Sequence, residues 1–311
     1  METEHRSRLM RILLTGVTGQ VGGALLEPLR TVGLVVAADR RQLDLARPER
    51  IRSALERIAP DLVVNPAAYT AVDRAEDERE LAFRINAEAP GAIAHWTAER
   101  GVTFIHFSTD YVFDGAGVRP WREDDPTGPL SAYGASKLAG EKAIRGVGAP
   151  HLIVRTSWVY AARGTNFLRT IARIAQERTE LRIVADQFGA PTSARLIAEA
   201  VAGIVTAGGG TLADRFAAAR GLVHLTAAGE TSWHGFAAAI VEGLRARGVT
   251  LAATRVVPIA TVDYPTKAKR PANSRLDLTR LESVFGIKPR RWDDALAAEL
   301  DQLASELSAP R

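Results

Sequence analysis

The sequence predicts an α/β chain: a doubly wound parallel sheet with a second, smaller α/β domain. Three observations carry this reading. Short apolar runs alternate with amphipathic helical stretches through the first half of the chain. The first of these runs ends in a glycine-rich turn that opens directly into a helical pattern. Beyond Thr156 the alternation continues in shorter pieces, as a smaller unit interleaved with the first. A chain of 311 residues, 46% of them apolar, holds one large or two ordinary domains with a sizeable core.

Residues 10–14, Met10-Arg11-Ile12-Leu13-Leu14, form the first apolar run and suit a buried strand. They end in Thr15-Gly16-Val17-Thr18-Gly19-Gln20-Val21-Gly22, and a helical pattern follows through Leu25, Leu26 and Leu29. Glycines in that context allow a tight turn and the close approach of a pyrophosphate to a helix N-terminus. Gly16, Thr18, Gly19, Gln20, Val21 and Gly22 are therefore candidate cofactor residues of a Rossmann-type fold. A second strand over 34–38 ends at Asp39-Arg40-Arg41. An acid there holds the ribose 2′-OH of NAD, and an arginine welcomes the 2′-phosphate of NADP. Both are present, so NADPH or NADH remains an open choice. Asp44 and Leu45 are placed under the adenine.

An amphipathic helix over 48–58 leads to a third strand over 61–65. Pro66-Ala67-Ala68-Tyr69-Thr70 follows, with Ala67, Ala68 and Tyr69 where a cofactor would lie against backbone. Helical sequence runs over 78–99, broken near Pro90-Gly91. A fourth strand over 103–107 ends in Ser108-Thr109-Asp110-Tyr111-Val112-Phe113-Asp114-Gly115. A polar cluster at the carboxyl end of a parallel strand is where α/β sheets place their ligands.

Ser131-Ala132-Tyr133-Gly134-Ala135-Ser136-Lys137 opens the next helix. Tyr133 and Lys137 lie one turn apart on one helical face. A free tyrosine, with a pKa of about 10, is a poor proton donor or acceptor at neutral pH. A lysine cation held close favours the phenolate and draws that pKa toward the range of general acid–base catalysis. Lysine is scarce in this arginine-rich chain, limited to Lys137, Lys142, Lys267, Lys269 and Lys288. Its use at this spot hints that a compact charge matters.

Past Thr156 the expected elements are shorter. The fifth strand of the nucleotide sheet covers 151–155, followed by a helix over 167–177 and a strand over 181–184. A helix over 193–205 returns to the sheet, and 207–210 is a glycine-rich break. Further strands are expected over 222–225 and 256–259, with a helix N-capped by Ser232 running through Leu244 between them. Lys267, Lys269, Arg270 and Arg275 form a basic segment around Asn273-Ser274. Helices over 279–285 and 292–307 close the chain. The expected division is a nucleotide domain of 10–155 plus the helix at about 192–207, and a substrate domain of about 156–190 and 215–311, with the active site between them.

Composition excludes several functions. The formal charge of +4 is spread along the chain, which argues against nucleic acid. The absence of cysteine excludes disulfides, thiol chemistry and cysteine-ligated zinc. No apolar stretch reaches the roughly 20 residues of a membrane span, and the first nine residues are polar, so a cytoplasmic protein is expected. The six histidines show no metal-ligand spacing and read as structural.

With these segments in place, the chain resembles the extended short-chain dehydrogenase/reductases, and within them the dTDP-4-dehydrorhamnose reductase family. The resemblance runs from Arg11 to about Ala295. The glycine and Tyr/Lys motifs mark only the superfamily. Ser108-Thr109-Asp110-Tyr111-Val112-Phe113-Asp114-Gly115, Arg155-Thr156-Ser157-Trp158 and Arg270-Pro271-Ala272-Asn273-Ser274 are much narrower. The resemblance implies NAD(P)H-dependent reduction of the C4 ketone of dTDP-4-dehydro-6-deoxy-L-mannose to dTDP-L-rhamnose. It implies Thr109, Tyr133 and Lys137 as the catalytic set, with Lys137 also holding the nicotinamide ribose. It places Asp110, Tyr111, Trp158, Arg270 and Asn273 at the nucleotide-sugar, under a closing basic segment. Rival readings are another nucleotide-sugar reductase or epimerase, or a non-catalytic regulatory subunit. Some members are magnesium-bridged dimers; here Ala24 and Arg195 stand where acids are needed, so a monomer or weak homodimer with no bridging metal is expected.

Overall fold

The computed structural model describes residues 9–308. Its centre is a six-stranded parallel sheet containing β1 (Arg11–Leu14), β2 (Leu34–Ala37), β3 (Leu62–Asn65), β4 (Thr103–Thr109) and β5 (His151–Thr156), with Leu222–His224 at one edge. The spatial order is Leu222–His224, β5, β4, β3, β1, β2. Strands buried on both faces need apolar runs rather than alternation, and Leu62, Val63 and Val64 of β3 are fully buried.

The Leu222–His224 strand corrects the sequence reading, which assigned 215–311 to the substrate domain. Val223 pairs with Val154, so this strand extends the nucleotide sheet. Its helix, Leu212–Ala218, follows the glycine-rich break and was not expected. A capping box between Thr211 and Asp214 starts it, a Thr-x-x-Asp signal legible in the sequence.

Chain order reverses between β1 and β3, so the loops leaving these strands diverge and open a crevice at their carboxyl ends. Gly16 sits there at φ +61°, and a Cβ on it would lie 3.0 Å from the Ala67 backbone. Helix α1 (Gln20–Arg30) follows. A Cβ on Gly22 would lie 2.2 Å from the Gly16 carbonyl, so this glycine seats the helix on the loop. Helix α2 (Ile51–Ile58) buries Ile51, Ala54 and Leu55 on the far side of the sheet from α1.

The predicted helix break occurs earlier than Pro90-Gly91. Helix α3 (Arg79–Phe83) passes into a π-helical turn, Arg84–Glu88, and then into α4 (Ala89–Arg100). Pro90 has no N–H to offer the Asn86 carbonyl. Helix α5 (Ala132–Val147) takes advantage of the widened turn: a Cβ on its Gly140 would lie 2.0 Å from that carbonyl.

The second lobe is built on small pairings. Glu180–Val184 pairs in parallel with Arg255–Ile259, and Phe188–Gly189 pairs antiparallel with Thr231–Ser232. Helices α6 (Phe167–Glu177) and Trp233–Ala246 pack together here, the latter N-capped by Ser232 as expected. Helix α7 (Ala194–Thr206), capped by Ser193, returns against α1. One apolar cluster runs unbroken from Leu14 and Leu25 through Ile197 to Phe236 and Leu300, joining sheet and second lobe.

Candidate active site

The glycine loop fits a dinucleotide. Gly19 precedes α1 in an extended conformation, with no side-chain cap and no acid in the first helical turn. The first N–H groups of the helix are thus free for an anion. The Gln20 side-chain oxygen is buried without a partner beside them. Thr18 and Gly19 are exposed at the loop, and Val21 is half-buried behind it.

Beyond β2 the Asp39 carboxylate accepts from the Arg41 and Gln42 backbone N–H groups at 2.9 and 3.0 Å, shaping the turn. The turn opens on a cavity of about 520 Å³ lined by Arg40, Arg41, Arg47, Arg50 and Arg57. Asp44 lies 3.7 Å from Arg47 and accepts from the Ala46 N–H, while Leu45 is buried. The other four arginines have no carboxylate within ion-pair distance among the described residues. Arg47, Arg50 and Arg57 were not singled out by sequence reading. Their signal was an arginine run continuing past the second strand into the next helix.

Across the crevice Ala67, Ala68 and Tyr69 are half-buried after β3. The Tyr69 phenol donates to Glu78 at 2.8 Å, and its N–H donates to Asn86 Oδ1 at 2.8 Å. Asn86 also donates to the Tyr69 carbonyl and to Ser136 Oγ, at 3.0 and 2.9 Å. This residue of the π turn thereby ties the cofactor-side loop to α5. Sequence reading missed it, although a polar side chain within a helical run is itself a signal.

Thr109 ends β4 and Tyr133 opens α5, which is N-capped by Ser131 through the Gly134 N–H at 3.2 Å. The Thr109 hydroxyl donates to Asp110 Oδ1 at 3.0 Å and accepts from the Tyr111 N–H at 3.2 Å. The Tyr111 ring meets the Tyr133 ring edge-on at 5.6 Å. Burial pushes the Tyr133 phenol well above its ordinary pKa; the Thr109 hydroxyl opposes this, and Asp110 adds to it. Asp110 is itself buried, accepts from Thr109 at 3.0 Å, and is pushed up to about 6 by desolvation.

Lys137 differs from expectation. It does share the helical face of Tyr133, but its ammonium donates to the Phe107 carbonyl at 2.6 Å and lies 3.2 Å from His106 Nε2. A buried ammonium must find acceptors, and the β4 backbone supplies one. Lys137 is not among the causes of the Tyr133 shift. Burial brings the Lys137 ammonium down to about 8, with Glu141 opposing. Tyr133 consequently stays protonated at neutral pH, which is the form that can give a proton to a reduced ketone.

Next to Tyr133, burial pushes the Tyr111 phenol up to about 12, with Arg270 opposing the rise. Arg270 also donates to Asp73 at 2.5 Å. Trp158 has a left-handed φ of 47°, unusual for a bulky residue, and stacks on Trp233 at 3.6 Å. Gly189 makes room for it: a Cβ there would lie 2.7 Å from the indole. Asn273 is turned elsewhere. Its amide donates to the Arg119 carbonyl at 2.8 Å and it is only 2% exposed, so it holds the loop before Trp121 and faces no open site.

Residues 10–305 match the family described as RmlD substrate binding domain. A dTDP-4-dehydrorhamnose reductase of Burkholderia thailandensis is 50% identical, over 96% of this chain and 100% of that protein. One from Escherichia coli K12 is 44% identical, over 94% and 98%. Among solved structures, a dTDP-4-dehydrorhamnose reductase from Clostridium acetobutylicum superposes with a TM-score of 0.86 at 34% identity, covering 94% of this chain and 99% of that one. A Bacillus anthracis dTDP-4-dehydrorhamnose reductase in complex with NADP gives 0.83 at 30%, with the same coverage. The chain belongs to the dTDP-4-dehydrorhamnose reductase family.

Proposed function

We propose that the protein reduces the C4 ketone of dTDP-4-dehydro-6-deoxy-L-mannose to give dTDP-L-rhamnose, in the cytoplasm, using NADPH or NADH. The observation that carries this reading is the placement of Tyr133 at the start of α5, edge-on to Tyr111, with Thr109 at the end of β4 and an uncapped glycine-loop helix across the crevice. The glycine loop and the α1 N-terminus would hold the pyrophosphate, and Ala67 and Ala68 would flank the cofactor. A bound NAD(P)H supplies the hydride for C4. Thr109, once its hydroxyl turns from Asp110, and Tyr133 donate hydrogen bonds to the ketone oxygen, stabilise the charge that develops there, and Tyr133 gives it the proton. Lys137 anchors the nicotinamide ribose. Tyr111 and Trp158 wall the sugar, and Arg270 supplies positive charge toward the diphosphate.

The nucleotide lobe in this reading comprises 10–155, the 192–207 helix and the 222–224 strand. The arginine-lined cavity beyond β2 favours NADPH, because a 2′-phosphate would meet cations there without carboxylate partners. Replacing Arg40 and Arg57 together by Ala should raise the KM for NADPH about tenfold and leave that for NADH nearly unchanged. No metal bridge between copies is expected, since Arg195 is engaged with the buried Glu299 at 3.1 Å. Light scattering with and without chelator tests this.

Oxidation of NADPH by the ketosugar, with dTDP-L-rhamnose identified as product, tests the assignment. Tyr133→Phe should lower kcat by about 10²- to 10⁴-fold with NADPH binding retained. Wild type and variant turning over alike would defeat the mechanism. The regulatory-subunit reading predicts a broken catalytic set, and all of Thr109, Tyr133 and Lys137 are present.

A further inference from the structure

His106 lies in the interior of β4, one residue before the carbonyl that holds Lys137, and is 1% exposed. A histidine in an otherwise apolar strand requires polar partners. Its Nε2 lies 3.2 Å from Lys137 Nζ, and its Nδ1 lies 3.2 Å from the side-chain amide nitrogen, Nδ2, of Asn65 on the neighbouring strand. Asn65 in turn meets the Thr15 hydroxyl at 2.5 Å, and Thr15 Oγ1 accepts from the Ala67 N–H at 3.4 Å. All four side chains from Thr15 to Lys137 are buried. They form one polar chain under the crevice, from the residue that opens the glycine loop to the lysine.

We infer that His106 is the positioning residue of Lys137: a neutral imidazole, bare at Nε2 and protonated at Nδ1, that accepts from the ammonium and fixes it below the nicotinamide ribose. This rests on the functional reading above. The tautomer follows from donor counting. An ammonium has three donors and no acceptor, so the nitrogen facing it must be bare, and the ring proton must sit on Nδ1. Donor counting then requires the Asn65 amide to turn Oδ1 toward Nδ1 and its nitrogen toward Thr15 Oγ1, the reverse of the arrangement in the structure, where Nδ2 is the atom 3.2 Å from Nδ1. Burial and the neighbouring Lys137 charge both hold His106 well below its ordinary pKa, so it stays neutral and does not itself titrate in the working range. With the Phe107 carbonyl, His106 gives Nζ two fixed acceptors and leaves its third proton for the cofactor side.

The other ionisable groups around Lys137 do not duplicate this role. Glu141, one turn further along α5, is held by Arg155 of β5 at 2.6 Å and by Ser108 at 2.5 Å. Asp110 beyond β4 is bonded to Thr109, and the Tyr133 ring packs edge-on against Tyr111. Removing the His106 acceptor should make the ammonium easier to deprotonate. The alkaline limb of the activity profile then moves to lower pH.

The test compares His106→Phe, which cannot accept, with His106→Gln, whose amide oxygen can. In NADPH-dependent reduction of the ketosugar, His106→Phe should shift the alkaline limb of kcat/KM down by about one pH unit. His106→Gln should restore most of that shift. A merely space-filling histidine predicts lowered thermal stability with the limb unmoved in both variants, and that result overturns the inference. A second measurement covers a variant that does not fold. The ¹⁵N shifts of His106 in the wild-type protein, with and without NADPH, should show a neutral ring protonated at Nδ1. A ring protonated at Nε2 overturns the inference even if the enzyme turns over. If wild type lacks the activity, the functional reading fails while the ring tautomer is still measured.

Discussion

Asp110 shows how one buried side chain sets a pH dependence of stability. Its carboxyl is pushed up to about 6 by desolvation, with hydrogen bonds from its neighbours opposing. The folded protein therefore binds this proton more tightly than the unfolded chain does. Below about pH 4 both states are protonated and the residue carries no charge penalty. As pH rises toward about 6 the unfolded chain ionises first, and folding loses up to about 3 kcal/mol. Asp110→Asn should remove that loss, so its stability relative to wild type should rise between about pH 4 and about pH 6. Urea unfolding across this range measures it, and parallel curves for the two proteins would contradict the assignment. At the same scale, Tyr133 and Lys137 were legible from their spacing. What Lys137 touches was not, because its acceptors lie on β4, about thirty residues earlier in the chain.

The π turn Arg84–Glu88 is the element that holds the two sides of the crevice together. Asn86 binds the Tyr69 backbone on one side and Ser136 on the other, and Gly140 lets α5 approach the widened turn. Gly140→Ala would place a methyl on the Asn86 carbonyl, which has no room for it. We expect the variant to be destabilised by about 1–3 kcal/mol, as overpacking usually costs, with kcat lowered because the N-terminus of α5 shifts. Thermal unfolding and turnover read both effects. Unchanged values would show that the turn yields freely. Sequence reading placed a break in this stretch through Pro90 but could not give its form. A proline announces a missing donor, and the surrounding packing decides how the helix accommodates it.

Across the whole molecule, the segment from Lys267 to Arg275 spans the two lobes as a strap. At one end Asp73 accepts from the Ala268 N–H at 3.0 Å and from Arg270, and Lys267 pairs with Asp77. At the other, Asn273 and Ser274 join the loop near Trp121 and the Phe188 carbonyl. We expect Asp73→Ala to free the first end and raise the KM for the nucleotide-sugar about tenfold, with the KM for NADPH nearly constant. Steady-state kinetics with each substrate varied distinguishes them, and an unaltered sugar KM would remove Arg270 from the binding site. The strap's basic character was legible in the sequence. That one of its polar residues, Asn273, serves the protein's own loop was not, since the carbonyls it meets lie more than 150 residues away.

By itself the sequence determined the alternating strands and helices, the glycine loop that opens into a helix, and the shared face of Tyr133 and Lys137. These depend on side-chain periodicity and turn chemistry within a few residues, which any window of the chain displays. Tertiary structure alone decided that Leu222–His224 joins the nucleotide sheet, that Lys137 rests on His106 and Phe107, and that the arginines beyond β2 gather around one cavity. Each of these turns on which buried donor finds which acceptor, or which edge strand finds a free ladder, across long separations. Such pairings exist only once the layers have packed.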